Sequence, residues 1–146
     1  MSRRDEGGTA LVEFVWLAIL LLVPMLYIVL AVFETQRASY AASAAARSAS
    51  RAFVTSPDQA SAYARAEAAA RLAFGDQHIE AADFTLVITC RPDPERCLTP
   101  GSVVAAEIRS AADLPLMPTA LGSNTPRIAV AAVHRSPYGT FRGARP

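Results

Sequence analysis

The sequence predicts an α+β chain: a long N-terminal apolar helix that continues as a stalk, a second alanine-rich helix, and a small antiparallel β-sheet head. Three observations carry this. Phe14 to Phe33 contains no charged residue, the next stretch is alanine-rich and free of Gly and Pro, and from Asp83 onward the apolar period changes to two.

The apolar run reads "FVWLAILLLVPMLYIVLAVF". As a helix it spans about 30 Å, the hydrocarbon thickness of a bilayer, so a membrane helix over 9–33 is expected. A cleavable secretory signal would have an apolar core of roughly 7 to 15 residues ending at a small-residue site. This run is longer and is followed by Glu34, Thr35, Gln36 and Arg37. Pro24, mid-span, removes one backbone donor and should bend the helix. Arg3 and Arg4 precede the span and Arg37, Arg47 and Arg51 follow it, so the positive-inside count does not fix its orientation.

Beyond the span, "ETQRASYAASAAARSASRAF" should extend the helix through 34–54. Ala38, Ala42, Ala45, Ala49 and Ala52 recur at three- and four-residue intervals, a stripe of small residues on which a helix can pack closely. Either another subunit or the chain's own domain can occupy it. The serines of this stretch read as helix-surface residues.

"TSPDQ" should end this helix and start the next, with Ser56 as N-cap, Pro57 at the first helical position, Asp58 in the first turn and Gln59 completing a capping box. The second helix is expected to run to about Phe74 and to end on a left-handed Gly75, with Glu67 and Arg71 paired at i,i+4. Three strands follow in "FTLVITC" (84–90), "SVVAAEIRS" (102–110) and "RIAVAAVHR" (127–135), enough for a small sheet with one face on the helices. "DLPLMPTALGSNTP" carries three prolines and is expected to be an irregular loop. The tail "SPYGTFRGARP" should be poorly ordered at its end. Residues 55–146 thus form one small head domain.

Composition excludes more than it assigns. The 146 residues leave room for one small domain after the span, and 14 basic against 13 acidic residues, interspersed, give no electrostatic footprint for nucleic acid. Every basic residue is Arg. His78 and His134 stand alone and no spacing completes a metal tetrahedron. No G-x-S-x-G, P-loop or H-E-x-x-H occurs, so no enzyme, cofactor or small-molecule substrate is expected. Cys90 and Cys97, the two cysteines, flank "RPDPER". They can close a disulfide in an oxidising compartment or remain two free thiols.

One residue stands out. Glu13 is a carboxylate at the lip of the apolar run, and an ionisable group in a membrane segment calls for a partner that the flanking sequence does not supply. A glutamate snorkelling to the headgroups is the plain explanation.

Arg3, Arg4, Gly8, the tetrapeptide "TALV", Glu13 and Phe14, followed by the apolar helix, resemble the class III leader of type IV pilin-like proteins. The whole layout resembles a TadE-like pseudopilin of a tight-adherence (Tad/Flp-type) pilus or related secretion system, the specific part of the match covering residues 3 to 53. The resemblance implies a leader over 1–8, cleavage by a prepilin peptidase between Gly8 and Thr9, and Thr9 as the mature N-terminus. Thr9 differs from the Phe or Met usual there in type IVa pilins. It further implies that Glu13 neutralises the N-terminal amine of a neighbouring subunit during assembly, that the head lies outside the cell membrane with the N-terminus cytoplasmic, and that partners are other pilin or pseudopilin subunits, the assembly platform and the bilayer. In that exported domain Cys90 and Cys97 are expected to be bonded. The competing account is a single-span membrane-anchored binding domain unrelated to pili, which needs neither the cut nor the carboxylate.

Overall fold

The computed structural model describes residues 7–79, 83–113 and 127–144, with side chains of the first helix described from Ala10 onward. Helix α1 runs Gly7–Thr55 without interruption, 49 residues including Pro24, about 73 Å at 1.5 Å per residue. An 18-residue stretch of it is apolar enough to cross a membrane, and none of that stretch is buried by the rest of the chain. Trp16, Leu20, Leu21 and Phe33 are all mostly exposed. The hydrophobic effect leaves such a surface bare in water only at high cost, so this half of α1 is built for an apolar surrounding.

The other half of α1 is covered. Ala38, Ala41, Ala42, Ala45, Ala46, Ala49 and Phe53 are buried in the core of the head. The small-residue stripe, left open by the sequence between a subunit contact and a self contact, is therefore the chain's own packing face; only Ala52 is half-buried. One serine expected on the helix surface is also inside: Ser50 is fully buried and accepts a 2.9 Å hydrogen bond from Ser136 Oγ while donating to the Arg47 carbonyl.

Helix α2 (Gln59–Gly75) contributes Ala62, Ala66, Ala70 and Ala73 to the same core. Alanines on both helices leave little side-chain bulk between their axes, which permits close approach. At the corner, Phe53 meets Tyr63 edge to face at 5.1 Å. The α2 start differs from the expected capping box. The N-cap is Asp58, in extended conformation, its carboxylate accepting from the Ser61 N–H at 2.7 Å. Ser56 instead donates to the Ala52 carbonyl of the preceding helix. Gly75 is still helical, and the left-handed residue is His78 (φ 57°), three positions on. The Glu67–Arg71 pair forms at 2.7 Å, and Arg71 also lies over Phe84, which stacks on Phe74.

Strands β1 (Thr85–Arg91), β2 (Val103–Asp113) and β3 (Arg127–Pro137) form one antiparallel sheet in that order. Alternation sends Cys90, Val104, Ala106, Ile108 and Val130 inward, toward the core shared with α1 and α2. β2 and β3 run longer than the period-two pattern marks, to Asp113 and Pro137, and the Asp113–Arg127 pair closes their open end at 2.6 Å. The proline-rich loop expected after Asp113 falls on 114–126, outside the described residues. Part of the tail is firmly placed: Tyr138 is buried and donates to the Gly143 carbonyl, and Arg142 donates to the Val54 carbonyl of α1. Tyr138 is a large aromatic whose hydroxyl finds a partner, which is enough to dock the segment. The chain end at 145–146 lies outside the described residues.

Candidate functional site

The sequence directs attention to the start of α1. Gly8 and Thr9 belong to the helix, and Glu13 follows Thr9 by four residues, about 6 Å along the axis. Glu13 is solvent-exposed, with no hydrogen bond or ion pair to any described residue. Above it the helix carries no charge until Glu34, which pairs with Arg37 at 3.0 Å. The site thus consists of one carboxylate, about one helical turn beyond Thr9, at the foot of an apolar shaft that runs unbroken into the core of the head.

The second constellation is a clasp on the head. Cys90 and Cys97 are bonded, with Cα atoms 5.3 Å apart, and both are buried. Closing so short a loop is worth about 2–3 kcal/mol by chain entropy. The bond spans the cis Arg91–Pro92 peptide. Gln59, read from the sequence as half of a capping box, does different work: its amide accepts from the Cys97 N–H at 3.1 Å and donates to the Glu95 carbonyl at 2.9 Å. One side chain at the start of α2 therefore holds the loop by two backbone groups. Neither bond is legible in the sequence, because Gln59 and Cys97 lie far apart along it. Ser102 completes the clasp by donating to the Cys97 carbonyl.

Two carboxylates here are shifted. The Ser61 backbone N–H, followed by the Ser61 hydroxyl, holds Asp58 below the ordinary carboxylate range. The Arg96 guanidinium, at 2.8 Å, and the Glu95 N–H do the same for Asp93. Both are stabilised as anions by donors within hydrogen-bond reach. They act as anchors for the α2 start and for the loop.

His78 sits at the left-handed turn after α2 and His134 on β3. Among the described residues no group of three or more His, Cys, Asp or Glu is placed to hold a metal ion. Searches against protein-family models, curated proteins and solved structures find no match to this chain.

Proposed function

We propose that the chain is a minor pilin-like subunit, resembling the TadE-like pseudopilins, that inserts in a cell membrane through the first half of α1 and takes part in assembling a tight-adherence-type pilus or related secretion system. A prepilin peptidase on the cytoplasmic side removes residues 1–8, Thr9 becomes the mature N-terminus, and the head stands outside the membrane in a type IV pilin-like stalk-and-head arrangement. The observation that carries this reading is Glu13: an exposed carboxylate without a described partner, five residues after Gly8, at the foot of an uncharged helix continuous with the core of the head.

The chemistry of the proposed role is simple. Cleavage creates an α-amino group on Thr9 that is cationic near neutral pH. In a low-dielectric surrounding that cation and the Glu13 carboxylate of a neighbouring subunit each carry a desolvation penalty alone and attract strongly together. Because the two groups lie about 6 Å apart along one helix, parallel helices that pair this way are offset by about one turn. Gly8 suits the cut because a residue without a Cβ lets the scissile backbone approach a narrow protease groove.

Two measurements test the proposal. The N-terminal peptide mass of protein recovered from membranes should begin at Thr9, and Gly8→Leu should abolish that processing. Glu13→Gln keeps size and removes charge, so insertion and cleavage should persist while co-purification with other pilus subunits is lost. Unchanged assembly by the Gln variant at equal membrane level refutes the pairing and leaves a single-span binding domain as the better account.

A further inference from the structure

The sheet has a second face, turned away from α1 and α2, and part of it is concave. Alternation along the strands puts Thr89 and Arg91 of β1, Val103 and Ala105 of β2 and Arg135 of β3 on that face, while residues between them, such as Val104 and Ala106, point into the core. The register sets Thr89, Ala105 and Arg135 in one row across the sheet, with Arg91 beside Val103 in the next. Ala105, short and central, leaves the middle of its row low. Together these five residues line a cleft of about 330 Å³, at the lower end of the ~300–1,000 Å³ range in which proteins hold small ligands.

Charge gives the cleft its character. Arg91 and Arg135 are exposed, permanently cationic, and joined to no carboxylate by an ion pair among the described residues. By register the nearest acidic residue on this face is Glu107, two positions beyond Ala105, and Arg109 holds its carboxylate at 2.6 Å. Asp93, two residues after Arg91 along the chain, is likewise taken by Arg96 at 2.8 Å. Two unpaired guanidiniums and the Thr89 hydroxyl therefore border one concavity.

We propose that this cleft binds an acidic peptide segment of a partner protein, a carboxylate meeting the two guanidiniums while its methylenes and an apolar neighbour lie on Val103 and Ala105. The planar fork of arginine matches a carboxylate bidentately. The apolar floor favours a side chain over a bare ion, because a bare ion leaves Val103 and Ala105 uncovered. If α1 spans the bilayer as proposed, a lipid phosphate is out of reach: Ser136, next to Arg135, bonds Ser50, which stands about 25 Å beyond Phe33 along the helix, whereas a headgroup layer is only about 5–8 Å deep. The cleft itself belongs to the head and does not depend on the role of Glu13.

Full-length, ¹⁵N-labelled protein in uncharged detergent micelles is titrated with a short blocked peptide of alternating Glu and Val, and amide chemical shifts are read. The amides of Thr89, Val103 and Ala105 should move saturably, and the same peptide with Gln in place of Glu should leave them still. Arg91→Gln and Arg135→Gln should each weaken binding by about two- to fivefold, as for an exposed ion pair, and the double variant more. Ala105→Leu keeps both charges but fills the floor, so it should weaken binding too. Equal binding of the Gln peptide, or unchanged affinity in the double arginine variant or in Ala105→Leu, overturns the proposal. Inorganic phosphate alone, moving the same amides as tightly as the peptide does, also overturns it, since the cleft is then a site for small anions. None of these outcomes bears on the assembly test at Glu13, so the two readings fail separately.

Discussion

Helix α1 is one continuous object made of two chemically opposite halves. Before Tyr27 its side chains are large, apolar and exposed, whereas after Thr35 its inward face is mostly alanine and buried to the last few per cent. The first half has bulk with nothing of its own chain to cover it. The second has cover with almost no bulk. The contrast teaches that hydropathy and side-chain size report different things: hydropathy says that a surface must leave water, and size says how near the covering element can come. Alanine buries little area per residue, so the head is held by many close backbone approaches, by Phe53, Phe74 and Tyr138, its largest fully buried side chains, and by the Cys90–Cys97 clasp.

The sharpest way to break the comparison is to exchange the demands of the two halves. Leu20→Arg places a charge mid-span, at an insertion cost of about 2.5–3.5 kcal/mol. Membrane recovery should fall severely, while the thermal midpoint of whatever protein is recovered in detergent stays at the wild-type value. A lowered midpoint would mean that the two halves are not independent. The reverse exchange is Ala49→Leu, which forces extra methylenes into a filled site and should destabilise the head by about 1–3 kcal/mol with insertion unchanged. Denaturant unfolding of the detergent-solubilised protein reads it, and an unaltered midpoint would show that the helices separate freely.

A finer test concerns the polar contact within the alanine face. Ser50→Ala leaves Ser136 Oγ buried without its acceptor, a loss of about 1–3 kcal/mol for an unsatisfied group. Removing both hydroxyls in Ser50→Ala, Ser136→Ala should cost less than the single change, because no buried group is then left unpaired. If the double variant is the less stable one, the hydroxyls contribute by packing rather than by pairing.

How much of this was readable in advance follows from which forces are local. The apolar run, the alanine stretch and the three period-two blocks each carry their signal within a few residues, so both helices and all three strands stand where the sequence puts them. The ends do not. Gly75 offers a left-handed residue, but the helix continues through it and His78 adopts that conformation, held by its N–H to the Gly75 carbonyl at 2.8 Å. Ser56 has a preferred N-cap side chain, yet it bonds back to Ala52 and leaves the cap to Asp58. The alanine stripe is visible, but its occupant is not, since a small-residue face suits any close neighbour. Gln59 is the clearest miss: its two loop bonds depend on where the disulfide places residues 95 and 97. For Glu13 the sequence supplies the oddity and the resemblance supplies the role, which is why its test is an assembly measurement.

The smallest expected effect lies outside both halves of α1, at the clasp, and it is a pH effect. Asp58 and Asp93 have folded-state pKa values below their unfolded ones, the first through the Ser61 N–H and hydroxyl, the second through Arg96 and the Glu95 N–H. A carboxyl whose pKa is depressed on folding contributes stability that is fully present above the unfolded value, near 4, and is lost as pH falls through the folded one. Both groups are reached by solvent, so the loss is modest. It should nonetheless be local, since protonated Asp58 no longer anchors the α2 start where Gln59 grips the loop, and protonated Asp93 releases Arg96 within the loop. Between neutral pH and pH about 3, the protection of the Cys97 and Ser61 amides, measured relative to the intrinsic exchange rate at each pH, should fall before that of amides in the alanine half of α1. Asp58→Ala should already show the faster Ser61 exchange at neutral pH, and little further change on acidification. Equal acid sensitivity of the Ser61 amide in wild type and Asp58→Ala would assign the response to other carboxylates and leave the clasp indifferent to the charge of its anchors.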